Sequence, residues 1–120
     1  MKAILIITNF PEHFSRLADR LGTAGYEIRW GASKAEAVNA ASGLLPALIV
    51  IDATVDGRTA SEIARAVIMA NAMANLGVVS PLSTDDFHEA FEGLGILAQL
   101  SPRPDEREAE KLMETLSGLG

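Results

Sequence analysis

Short apolar runs alternate along this chain with stretches in which apolar residues recur every three or four positions. Ala3 to Ile7 is continuously apolar and rich in β-branched residues, which predicts a strand buried on both faces. Pro11 suits a first helical turn. Phe14, Leu17, Ala18, Leu21 and Ala24 then mark one helical stripe, closed by Gly25. Tyr26 to Trp30 predicts a second strand. Ser33 and Glu36 form a capping box ahead of a helix turning Ala37, Val38, Ala40, Ala41 and Leu44 inward and ending before Pro46. Ala47 to Asp52 is the strongest strand, apolar at five positions and ending on a carboxylate. A third helix is expected from Thr59 or Ser61 to about Asn75, and a strand over Gly77–Ser80. A brief helix over Asp85–Phe91, a strand over Ile96–Leu100 and a last helix over Asp105–Leu116 follow, the last with Ala109, Leu112, Met113 and Leu116 inward.

Strand and helix therefore alternate five times. Helices of this length between short strands imply a parallel sheet covered on both faces: a single-domain (βα)5 flavodoxin-like α/β fold over residues 1–120, strand order 2-1-3-4-5. Its switch point lies between the first and third strands, so any site is expected at their carboxyl ends. Hydrophobic residues at 48% and charged residues at 22% suit one packed core. A net charge of −6 argues against nucleic acid or an anionic membrane surface as a direct partner. No cysteine is present, so disulfides and thiolate metal sites are excluded. No apolar stretch approaches the roughly 18 residues of a membrane span, and a cytoplasmic location is expected.

The residues falling at the strand ends are Thr8, Asn9, Asp52, Ser80 and Ser101. Here the chain resembles the receiver (CheY-like) domains of two-component response regulators, in element order and length over essentially its whole extent. Met1–Pro11 resembles their opening, where an acidic pair follows the first strand. Ala47–Gly57 resembles their third strand and its phosphoacceptor aspartate, and Ser101-Pro102 their Lys-Pro pair. On that resemblance the phosphoacceptor position is Asp52 and is kept. The acidic pair that holds Mg²⁺ in the family falls on Thr8 and Asn9. The fourth-strand hydroxyl falls on Ser80 rather than Ser83, because Pro81 belongs past the strand. The lysine falls on Ser101, with Arg103 as a displaced substitute, and the switch aromatic on Ala98. Asp56-Gly57 follows Asp52 sooner than the family's loop allows.

A lone carboxylate leaves Mg²⁺ mostly to water. Phosphoryl transfer depends on positioning and charge stabilisation, and loss of one such partner costs about 10²–10³ in rate. The resemblance thus implies a pseudo-receiver, not an enzyme, without cofactor and with weak or absent Mg²⁺ binding, acting through a protein partner or a second copy of itself. Two alternatives stay open: an atypical receiver still phosphorylated on Asp52, and a small-ligand or enzymatic flavodoxin-like domain using the Thr8/Asn9/Asp52 crevice. Asp52 itself also reads as a plain solvated strand end, and Thr8 and Asn9 as turn residues.

Other candidates have ordinary readings. His13 and His88 are isolated on helices, Tyr26 and Trp30 suit edge packing, and Asp105 to Glu108 suits a helix N-terminus. No Gly-rich phosphate loop, nucleophile elbow or His-Glu-x-x-His pair occurs. The third helix carries more apolar surface than one sheet contact needs. Ile63, Val67, Ala70 and Ala74 form one stripe; Ala64, Ile68, Met69 and Met73 form another. Burial by neighbouring helices explains the surplus, and so does a partner surface, for which Ile68, Met69 and Met73 are the candidates. By resemblance the segment from about Asp85 to Leu116 is a second contact surface.

Overall fold

The computed structural model describes residues 2–119. Five parallel strands form the sheet: β1 (Ala3–Ile7), β2 (Glu27–Gly31), β3 (Leu48–Ile51), β6 (Leu76–Val79) and β7 (Ala98–Leu100), in the order β2-β1-β3-β6-β7. Two further short strands, β4 (Thr54–Val55) and β5 (Arg58–Thr59), make a separate antiparallel hairpin. With the hairpin set aside, the order is the 2-1-3-4-5 expected from the alternation of elements. In the central strands the period-2 alternation serves two cores at once. Leu5, Ile7, Ile49 and Ile51 face α2 (Lys34–Ser42) and α3 (Ala60–Ala70). Ile4, Ile6, Leu48 and Val50 face α1 (Ser15–Thr23) and α5 (Glu106–Gly118). A strand buried on both faces has no polar position to alternate with, hence the unbroken apolar runs.

The chain enters α1 through a 3₁₀ turn, Pro11–Phe14, with Pro11 at its start, because proline fixes φ and lacks the N–H that such a turn leaves unpaired. Ser33 caps α2 by accepting from the Glu36 N–H, but Glu36 does not return to Ser33. Its carboxylate accepts from the Ala32 N–H, one residue earlier than a capping box requires. Ser83 caps α4 (Thr84–Ala90), and Asp105 with Glu108 completes a full capping box on α5.

Several expectations are corrected. The third helix stops at Ala70, not Asn75. Asn71 turns extended, its side-chain amide donates to the Ala41 carbonyl (3.1 Å), and its Oδ1 accepts from the Met73 N–H (2.9 Å). An Asx turn has outcompeted the helix. Met73 therefore lies in a loop, not on a helical stripe with Met69. Leu44 projects into solvent, 89% exposed, because α2 ends at Ser42. Ala24 is exposed past the end of α1, and Met113 is only half-buried. The last strand begins at Ala98 rather than Ile96.

Arg16 of α1 forms a two-pronged ion pair with Glu106 of α5 (2.9 and 2.6 Å), and Arg20 approaches Glu110 beside it. The hydrogen bonds from Arg16 hold the Glu106 carboxyl below the usual carboxylate range. A depressed folded-state pKa contributes stability above the unfolded value of about 4.3, and that contribution disappears as pH falls through the folded value. Glu106→Gln is expected to flatten the acid limb of the stability–pH curve slightly while leaving stability near neutrality almost unchanged, because exposed pairs are worth little. Urea titrations across the acid range check this.

Candidate functional site at the carboxyl edge of the sheet

β1 sends its chain to β2 on one side while β3 lies on its other side, so the loops after β1 and β3 leave the sheet next to each other. Ile7 pairs with Ile51 in parallel register, and the Asp52 N–H donates to the Ile7 carbonyl (3.0 Å). Thr8 and Asp52 are thereby brought side by side. The Thr8 hydroxyl donates to Asp52 Oδ2 at 2.6 Å and accepts from the Phe10 N–H at 2.9 Å. Thr8 is 2% exposed, so this bond is shielded by the strands that carry it. The other carboxylate oxygen, Oδ1, accepts from the Ala53 N–H at 2.7 Å.

Asn9 does not face Asp52 in any hydrogen bond. Its amide nitrogen donates to the Ala32 carbonyl (3.1 Å) and its amide oxygen accepts from the Asp56 N–H (2.8 Å). One side chain thus ties the loop after β2 to the turn of the hairpin. That turn is Asp56-Gly57, both with positive φ (50° and 75°), the left-handed pair that a two-residue hairpin favours. The alternation of long elements does not predict the hairpin, although Asp-Gly between Thr54-Val55 and Arg58-Thr59 is a known signature for it. It folds the loop after Asp52 back toward α3, whose N-cap is Thr59.

Ser80 directly follows β6, is buried, and accepts from the Leu82 N–H (3.2 Å), whereas Ser83 caps α4. Gln99 was not singled out. Its amide donates to the Ser80 and Leu82 carbonyls (3.1 and 2.8 Å) and fixes the loop beyond β6. Ser101 is exposed and turned toward α5. Both its N–H and its hydroxyl donate to Glu108 (2.7 Å each). Arg103 donates toward His13 Nε2 (3.1 Å), and His13 stacks on Phe10, so neither histidine nor arginine joins Asp52. Ala98 is half-buried at the start of β7. The site consists of a Thr8–Asp52 pair at the switch point, with Asn9, Ser80 and Ser101 each bonded to other partners.

Similar architectures occur among solved structures. The chemotaxis response regulator CheY4 of Vibrio cholerae superposes with a TM-score of 0.81 at 18% identity, over 97% of this chain and 98% of that one. A CheY-like response regulator receiver domain from Methanospirillum hungatei gives 0.82 at 18% identity, over 98% and 95%. The fold is that of receiver domains. A further receiver-fold match is the receiver domain of the sensor histidine kinase PA1611 of Pseudomonas aeruginosa, which carries a magnesium ion in its active-site cleft. It gives 0.79 at 15% identity, over 98% of both chains. No protein-family model matches the chain, and neither does any curated protein sequence. At such identities the receiver likeness rests on the path of the backbone.

Proposed function

We propose that this receiver-fold domain signals through contact with a protein partner and does not carry out magnesium-dependent phosphoryl transfer. The observation that carries the reading is the 2.6 Å bond from the Thr8 hydroxyl to Asp52. Mg²⁺ requires near-octahedral oxygen ligands and is usually anchored by one or two carboxylates. Here Asp52 is the single acid among the strand-end positions, and both its oxygens already accept hydrogen bonds. Thr8 and Asn9 are neutral and occupied by their own partners. Among the described residues no group of three His, Cys, Asp or Glu side chains is placed to hold a metal ion. These residues do not fit the ion. At the lysine position Ser101 brings no charge, and the nearby Glu108 would compete for a cation placed there.

A domain that no longer takes up a phosphoryl group keeps its surface. Ile68 of α3 is half-buried against the core, while Met69 and Met73 are 88% and 78% exposed. Methionine adapts readily to partner surfaces, which makes Met69 on the helix and Met73 on the loop after it the candidate contacts. This face suits a protein partner or a second copy of the chain. Among the described residues no helix is long and apolar enough to cross a membrane.

Incubation with acetyl phosphate and millimolar Mg²⁺ is expected to leave the intact mass unchanged, and beryllofluoride to leave the melting temperature unchanged. A stoichiometric phosphoryl adduct that disappears in Asp52→Asn would overturn the proposal.

A further inference from the structure

The opposite, amino-terminal edge of the sheet carries the second feature with chemical character. A cleft of about 500 Å³ opens there, between the start of β1, the loop joining α2 to β3, and the end of α5. That is within the size range of small-molecule pockets. One wall is cationic, with Lys2 and Arg29; the remainder is aliphatic, with Leu44, Leu45, Leu116 and Leu119. Arg29 is paired with Glu27, whereas Lys2 forms no ion pair among the described residues. On a chain of net charge −6 this leaves a locally positive lining against leucine side chains. Two of the leucines, Leu44 and Leu119, are mostly exposed, so apolar surface stands open to water at the cleft mouth. Exposed apolar surface beside a cation with no ion-pair partner among the described residues is complemented by a molecule with an anionic head and an aliphatic body.

We infer that this cleft binds a small aliphatic carboxylate, its carboxylate at Lys2 and its chain along Leu44, Leu45, Leu116 and Leu119. The site is separate from Asp52, which lies at the other end of the strands. Asn75 lines the cleft and donates to the Ala47 carbonyl (3.3 Å). Asn71, four residues earlier, holds the end of α2 and positions Met73.

Sodium octanoate is the probe, titrated below its micellar range into the intact protein with amide chemical shifts followed by NMR. Saturable shifts confined to residues near 2–3, 29, 44–47, 75 and 116–119 are expected. Acetate, which has the charge without the chain, and octylamine, which has the chain with the opposite charge, are expected to give no saturable shift. Lys2→Glu and Leu44→Ser alter exposed side chains and leave the fold intact, and each is expected to weaken octanoate at least tenfold. The inference is overturned if octanoate does not saturate, if its shifts centre on Asp52, or if octylamine binds as well. It is equally overturned if both variants bind octanoate like the wild type. None of these outcomes bears on phosphorylation at Asp52, which the acetyl phosphate experiment decides by itself.

Discussion

Thr8→Asp is expected to destabilise the domain by about 2–5 kcal/mol near neutral pH in the absence of metal. The substitution removes a hydrogen bond to a charged acceptor, worth about 1.5–3 kcal/mol, and places a second carboxylate beside Asp52 at a position only 2% exposed. Like charges at that separation raise the pKa of at least one member of the pair in the folded state. A raised folded-state pKa leaves stability intact below the unfolded value of about 3.9 and removes it as pH rises through the folded value. The repulsive part of the deficit should therefore be absent near pH 4 and largest near pH 7, leaving only the lost hydrogen bond at the acid end. Millimolar Mg²⁺ should restore much of the variant's stability at neutral pH, since two adjacent carboxylates are what the ion needs. Wild-type stability should not respond. Urea titrations with and without Mg²⁺ check both halves. A variant as stable as wild type at pH 7 without metal would show that the Thr8–Asp52 bond has no energetic weight. Thr8→Val provides the uncharged control, expected to cost about 1–3 kcal/mol by leaving Asp52 Oδ2 without its donor.

The second large effect separates the two faces of α3. Ile63 is wholly buried in the core beneath α2 and α3, and Ile63→Ala is expected to cost about 2–5 kcal/mol through lost burial and the cavity left behind. Met69 stands about one and two-thirds turns further along the same helix and is 88% exposed, so Met69→Glu should change stability by no more than about 0.5 kcal/mol. Any effect of Met69→Glu should appear instead in association, read by sedimentation of wild type and variant at the same concentration. If Met69→Glu destabilises the domain as much as Ile63→Ala does, Met69 belongs to the core and carries no partner.

The comparison of Ile63 with Met69 also shows where sequence periodicity loses resolution. Apolar residues occur on nearly all sides of α3, and a 3.6-residue period does not say which stripe meets the sheet. Ile63, Ala64 and Val67 are buried because the right-handed crossover from β3 to β6 lays that side against Leu76 and Val78. The end of the helix was equally hidden, because Asn71 gains more from bonding the Ala41 carbonyl and the Met73 N–H than from continuing a helix. Leu44 continues the apolar spacing of α2, yet lies beyond the residue at which the helix unwinds.

The order of elements, the parallel sheet covered on both faces and the placement of the candidate residues at its carboxyl edge are all written in local sequence. Alternating short apolar runs and amphipathic helices of this length close into few other topologies, and a strand buried on both faces must be apolar throughout. The identity of Thr8, Asn9, Asp52, Ser80 and Ser101 as strand-end residues follows from the same pattern, since each stands where an apolar run stops. Their partners do not. Thr8 reaches Asp52 across 44 positions, Asn9 reaches Ala32 and the Asp56 turn, and Ser101 turns away to Glu108. Those choices depend on strand register, on the reach of each side chain and on which acceptor is already taken. They arise only when distant segments meet in three dimensions. The amino-terminal cleft has the same origin. Lys2, Arg29, Leu44 and Leu119 have no sequence relation to one another, and they become a single lining because β1, β2, the loop after α2 and the end of α5 converge at one edge of the sheet.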